Sequence, residues 1–202
     1  MIRIKLCGLR RAEDVKIANE LTPDYVGFVF APKSRRRVTS EAAAGLKALL
    51  RPEIGAVGVF VDEAPENVAG LLNGGVIDAA QLHGHVDGDY ILRLRQLTDK
   101  PLIQAFRVRS AADVERAEGS EADRILLDAG AGDGVPFDWG LLRSIRRDFF
   151  RAGGLGPENV GRAVALVRPY GVDVSSGIET DGVKDPEKMR AFVAAVRERD
   201  ER

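Results

Sequence analysis

Short apolar runs closed by Gly, Pro or Asp alternate with longer amphipathic stretches from one end of the chain to the other. The runs Ile2–Cys7, Tyr25–Phe30, Ala56–Val61, Ala79–His83, Leu102–Phe106, Arg124–Asp128, Phe149–Ala152 and Val172–Ser175 predict strands. Helical periodicity falls on Arg11–Leu21, Ser40–Leu50, Pro65–Asn73, Asp89–Leu97, Ser110–Glu118, Trp139–Ile145, Pro157–Val167 and Pro186–Arg199. This alternation implies parallel strands joined by crossover helices. Eight units of roughly 25 residues lie near the lower limit for a (β/α)8 barrel, with a doubly wound open sheet as the alternative. No linker or low-complexity stretch divides the chain, so residues 1–202 are expected to form a single compact α/β domain, a (β/α)8 TIM barrel.

Strand parity indicates what such a barrel would enclose. Ile4 and Leu6 share one face of the first strand, and Lys5 and Cys7 share the other. The same parity groups Gln81 with His83, Gln104 with Phe106, Leu126 with Asp128, and Asp173 with Ser175. It turns Ile4, Leu6, Ala80, Leu82, Ile125, Leu127, Val172 and Val174 toward the helices. The inward set is markedly polar and gathers at the strand C-termini, which in a barrel converge on the mouth that holds the active site. The plainer alternative is that these groups satisfy one another inside the barrel.

Composition removes several classes of function. Of 202 residues, 45% are hydrophobic, enough for one substantial core, and 30 basic residues nearly cancel 31 acidic ones. A formal charge of −1 leaves no electrostatic footprint for nucleic acid or an acidic membrane. No run approaches the ~20 apolar residues of a membrane span, and no early segment has the apolar core of a signal peptide. A cytoplasmic protein with no nucleic-acid or membrane partner is expected. The single cysteine excludes an internal disulfide and suits a reducing compartment. Cys7 is then either a small buried hydrophobe or a chemical tool. Its position where the first strand ends, matched by Asp128 at the end of the sixth, favours an acid/base pair if the fold joins those ends.

Other motifs refine this picture. In Pro32-Lys33-Ser34-Arg35-Arg36-Arg37-Val38, a charge run is ordinarily a solvated loop, but one guanidinium could grip a carboxylate in a bidentate fork. Ala152-Gly153-Gly154-Leu155-Gly156 and Ser175-Ser176-Gly177 follow the seventh and eighth strands, where barrels often hold a phosphate on backbone N–H groups. Together they point to a small phosphorylated substrate; neither is a P-loop or a Rossmann fingerprint. His83-Gly84-His85 lacks a third ligand, so no metal is expected. Gly130-Ala131-Gly132-Asp133-Gly134 reads as a lid beside Asp128 or as an ordinary connection.

Taken in order, these segments resemble the phosphoribosylanthranilate isomerase family of tryptophan biosynthesis. The resemblance runs through Lys5-Leu6-Cys7-Gly8, Val26-Gly27-Phe28-Val29-Phe30-Ala31-Pro32-Lys33-Ser34, Gln81-Leu82-His83-Gly84, Leu126-Leu127-Asp128, Phe137-Asp138-Trp139, Ala152-Gly153-Gly154-Leu155 and Val172-Asp173-Val174-Ser175-Ser176-Gly177-Ile178-Glu179. It implies a (β/α)8 barrel without metal or organic cofactor, existing as a monomer or homodimer. It further implies an Amadori rearrangement of N-(5'-phosphoribosyl)anthranilate to 1-(2-carboxyphenylamino)-1-deoxyribulose 5-phosphate. By the same resemblance Asp128 is the general acid that opens the furanose and Cys7 the base that removes the C2 proton. Arg36 would meet the anthranilate carboxylate, His83 would contact the substrate, and the amides around Gly153, Gly154, Ser176 and Gly177 would hold the phosphate. Lys5 is the candidate charge for stabilising a Cys7 thiolate. Asp173 points inward by parity, either onto the substrate or onto Lys5. The chain departs from the family pattern at Arg10, at Gln104 and over 131–136. A histidine-pathway sugar-phosphate isomerase runs the same rearrangement but typically with two aspartates, against which Cys7 argues.

Overall fold

A computed structural model describes residues 1–128, Leu142 and residues 145–200. Eight parallel strands close into a barrel in sequence order. They are β1 (Arg3–Cys7), β2 (Tyr25–Val29), β3 (Gly55–Val61), β4 (Ala79–His83), β5 (Leu102–Arg107), β6 (Arg124–Asp128), β7 (Phe149–Ala152) and β8 (Gly171–Val174). The helices are α1 (Ala12–Leu21), α2 (Ser40–Ala48), α3 (Pro65–Asn73), α4 (Gly88–Leu97), α5 (Ala111–Glu118), α6 (Val160–Val167) and α7 (Pro186–Asp200). Their starts follow local chemistry: Thr39 and Asp87 accept the N–H of Ala42 and Tyr90, Ser110 and Asp113 form a capping box, and Pro65 opens α3.

The strands match the expected runs to within one or two residues, but two features differ. Helix α6 begins at Val160 rather than Pro157, because Asn159 turns back to bond the Gly154 carbonyl and the Gly156 N–H. A small antiparallel hairpin, β9 (Glu179–Thr180) and β10 (Val183–Lys184), was not expected after the eighth strand. The expected lid at Gly130–Gly134 lies outside the described residues. Of the helix expected over Trp139–Ile145, only Leu142 and Ile145 are described, both packed with Ile125, Leu127 and Phe149.

Outward side chains of the strands form the main core. Ile4, Leu6, Ala80, Leu82, Val172 and Val174 join helix residues such as Val15, Ala18, Leu72, Leu94 and Phe192 in one buried cluster. Inside the barrel a second cluster of Val57, Ala79, Ile103, Leu126 and Phe150 fills the lower layers. Phe150 there meets Tyr25 and Tyr170 edge-on, at centroid distances of 5.8 and 5.3 Å. Lys5 and Asp173 face each other across the closing β1–β8 seam and form a buried ion pair of 2.9 Å. Strand β5 reverses the expected parity: Ile103 and Ala105 face inward, while Phe106 packs among Val108, Val114 and Leu127. Gln104 therefore sits outside the barrel, where its amide donates to the Val86 carbonyl and accepts from Ser120. Among the described residues no helix is long and apolar enough to cross a membrane.

Candidate active site

Parallel closure brings every strand C-terminus to one rim. Cys7, Arg36, His83, Asp128 and Asp173 all border a cavity of about 310 Å³ there. Gly153, Gly154 and Ser176 border it from the β7 and β8 loops. Gly177 does not: an added Cβ would stand 1.9 Å from the Leu155 carbonyl oxygen, so this glycine lets the two loops pack together. The thiol itself depends on β2, where Gly27 lies beside Cys7 in register and an added Cβ would stand 2.7 Å from Sγ.

The Lys5–Asp173 pair forms the floor beneath Cys7. Lys5 is fully buried; burial pulls its amine down, but Asp173 and Cys7 outweigh this and raise it. Burial pushes the Cys7 thiol up, and the opposing pull of Lys5 and Lys184 does not overcome it. The thiol is therefore neutral near pH 7. Positive charge lies where the sequence reading wanted it, yet desolvation is the larger effect. Burial and Lys5 also lower His83, which remains a neutral imidazole with Nε2 2.8 Å from the Gln81 amide nitrogen. His85 is fully exposed against Asp62, and among the described residues no group of three or more His, Cys, Asp or Glu could hold a metal.

The loop after β2 returns to its own strand, with the Val38 N–H donating to the Val29 carbonyl at 2.9 Å, and this suspends Arg36 over the mouth. Arg36 crosses Gly8, whose φ of +82° and bare Cα leave it room; a Cβ there would lie 2.5 Å from Arg36 Cδ. The guanidinium is not free. Nε and Nη2 donate to the two carboxylate oxygens of Glu179 at 2.6 and 2.7 Å. Lys184 donates to Glu179 at 2.7 Å and to the Ser175 carbonyl at 2.8 Å, and Arg35 reaches Glu179 at 3.1 Å. Burial alone would push the Glu179 carboxyl up, but Arg36 and Lys184 hold it down at about 2. Arg35 is otherwise exposed and Arg37 is exposed, as the solvated-loop reading has it. Arg10 ties the same rim together, donating to the Arg35 and Gly182 carbonyls.

Neither Glu179 nor Lys184 stands out in the sequence as a site residue. The available signal was Asp181-Gly182, the dipeptide of a two-residue hairpin turn, whose φ values of +52° and +77° fit a turn left-handed at both positions. That turn carries Glu179 and Lys184 on paired strands, with Glu179 opposite Lys184.

A closed (β/α)8 barrel with a thiol, a carboxylate and an imidazole at its C-terminal rim defines a class, the barrel enzymes with an acid/base site. Comparison narrows it. The family model for N-(5'-phosphoribosyl)anthranilate (PRA) isomerase matches residues 4–195. The N-(5'-phosphoribosyl)anthranilate isomerase of Acetivibrio thermocellus is 44% identical, over 99% of this chain and 98% of that one. The crystal structure of phosphoribosyl anthranilate isomerase from Thermotoga maritima superposes with a TM-score of 0.90 at 36% identity, over 98% and 100% of the two chains. A phosphoribosyl anthranilate isomerase in complex with reduced 1-(o-carboxyphenylamino)-1-deoxyribulose 5-phosphate superposes at 0.88 and 37% identity, over 98% and 100%. The chain belongs to the N-(5'-phosphoribosyl)anthranilate isomerase family.

Proposed function

We propose that this protein converts N-(5'-phosphoribosyl)anthranilate to 1-(2-carboxyphenylamino)-1-deoxyribulose 5-phosphate in the cytoplasm, as a step of tryptophan biosynthesis. The observation that carries the residue assignments is the opening of Cys7 and Asp128 onto one cavity, with a guanidinium at one end and glycine-rich loops at the other. Asp128 donates a proton to the furanose ring oxygen, and the ring opens to an iminium ion. That positive charge acidifies the C2 hydrogen, which the Cys7 thiolate removes; the resulting enolamine becomes the ketone. A positioned proton transfer of this kind contributes ~10²–10⁴ in rate.

Recognition divides between the two ends. Glu179 occupies the Nε edge of Arg36 and leaves the Nη1 side for the anthranilate carboxylate. The amides of Gly153, Gly154 and Ser176 take the phosphate, while Gly177 serves by packing. His83, neutral and half-buried, contacts the substrate without moving a proton. Asp173 is engaged by Lys5, which favours a supporting role over direct contact. The test is to add freshly made N-(5'-phosphoribosyl)anthranilate and follow the loss of its fluorescence, beside an Asp128→Asn control. Turnover by the wild type and near-loss in the variant is expected; a folded wild type without turnover would refute the proposal.

A further inference from the structure

Arg151 is a buried cation that the steps above do not use. It stands on β7 between Phe150 and Ala152, both of which point into the barrel, so its side chain leaves on the helix side, yet it is only 3% exposed. A guanidinium so far from water must be hydrogen-bonded to be tolerated. Its Nη1 donates to the Ala152 carbonyl at 2.6 Å and to the Gly153 carbonyl. Successive carbonyls of an extended strand point to opposite sides. Their convergence on one nitrogen requires the chain to fold back, which it does at Gly153 (φ +86°) and Gly154 (φ +61°).

The consequence lies on the other side of those peptides. No cis peptide occurs among the described residues, and a trans peptide directs its N–H opposite its C=O. Holding the 152 and 153 carbonyls from behind therefore turns the N–H groups of Gly153 and Gly154 away from Arg151. Both residues border the cavity. Successive N–H groups turned to one side form an anion-binding nest.

We propose that Arg151 is a positioning residue for the phosphate end of the ligand: it fixes from behind the two carbonyls whose peptides aim the Gly153 and Gly154 amides at a phosphate monoester, and it supplies a poorly screened positive charge there. The proposal rests on the phosphate assignment made above. Burial pulls the Arg151 guanidinium down to about 10, with Asp128 opposing, so it remains a cation at neutral pH.

The test measures inhibition by reduced 1-(2-carboxyphenylamino)-1-deoxyribulose 5-phosphate and by its dephosphorylated counterpart, for the wild type, Arg151→Met and Arg151→Lys. The wild type should prefer the phosphorylated compound. Arg151→Met should lose that preference on the order of tenfold, the range of a charge-assisted hydrogen bond, while its affinity for the dephosphorylated compound stays within about twofold. Arg151→Lys, with its charge kept but its nitrogen on a shorter stem without the planar guanidinium, should lose it severalfold. Undiminished preference in Arg151→Met overturns the proposal, as does equal loss of both compounds, which would mark a purely structural arginine. If Arg151→Met does not fold, wild-type preference in Arg151→Lys overturns it. A wild type without preference refutes the phosphate assignment itself, and the proposal with it.

Discussion

At the Arg36 end of the cavity the proposed contact is a side chain, and the groups behind it and behind Cys7 are paired by opposite charge: Arg36 on Glu179, Glu179 on Lys184, and Lys5 on Asp173. At the glycine-rich end, in the loops after β7 and β8, the proposed contacts are main-chain amides, set by backbone angles and by bonds to the carbonyls behind them. One end is an electrostatic network whose strength depends on protonation; the other is a conformation whose N–H groups do not titrate. Charge substitutions and pH should therefore act on the first, and backbone substitutions on the second. The proposed acid/base pair, Cys7 and Asp128, borders the same cavity, and its loss should spare recognition at both ends.

The largest effect is expected at that centre. Asp128→Asn should lower kcat by ~10²–10⁴ and leave affinity for the phosphorylated and dephosphorylated product analogues unchanged. A large loss of affinity instead would make Asp128 part of a recognition end. Next comes the seam that supports Cys7. Asp173→Asn leaves Lys5 buried without its carboxylate, and removing one partner of a buried pair typically destabilises by about 3–5 kcal/mol. Denaturant unfolding should show this, and an unshifted midpoint would mean that the pair does not hold the barrel closed.

Glu179→Gln separates the ends more sharply. Loss of the charge that orients Arg36 should raise KM on the order of tenfold with a smaller change in kcat, and should weaken only ligands bearing the anthranilate carboxylate. Equal weakening of an analogue lacking that carboxylate would contradict the division. Protonation gives a second handle. Because folding depresses the Glu179 carboxyl from 4.5 to about 2, its contribution to stability is present above pH 4.5 and lost as pH falls through about 2. Glu179→Gln should flatten that part of the acid-unfolding curve. At the other end, Gly154→Ala forces a side chain onto φ +61°, a strain of about 1–2 kcal/mol. It should reduce the preference for phosphorylated over dephosphorylated analogue while leaving carboxylate recognition intact.

The strands were legible in the sequence because apolar runs bounded by Gly, Pro and Asp occur eight times, and parallel closure then set Cys7, His83 and Asp128 on one rim. Parity failed on β5 for a physical reason. Polarity served as the mark of an inward side chain, but Gln104 is buried outside the barrel and satisfied by Ser120 and Val86, while small Ala105 gives no signal. The Arg36 environment was only half legible. A run of three arginines does not say which one turns inward; that depends on Gly8 leaving space and on Glu179, whose distance in sequence hides the contact. Arg151 was invisible for the opposite reason, since a polar residue inside a short apolar strand shows neither its burial nor the carbonyls that it holds.

The smallest expected effect comes from pH, which acts on the charged centre and not on the amides. Burial holds the Cys7 thiol above its ordinary 9.0, so the thiolate is a minor form at pH 7 and grows as pH rises. The thiolate absorbance of this single cysteine should increase steadily from pH 7 to 9 without a plateau. A plateau near neutrality would mean that Lys5 and Lys184 outweigh burial. Over the same range a phosphate monoester is already dianionic, its second ionisation lying near ~6, and amide donors do not titrate. The preference for the phosphorylated analogue should then stay flat while the thiolate signal climbs. Lys5→Met should push the thiol higher still, since it removes a cation that lowers it. No upward shift there would assign the remaining pull to Lys184 alone, on the β9–β10 hairpin, and would make the hairpin rather than the barrel seam the source of positive charge at the thiol.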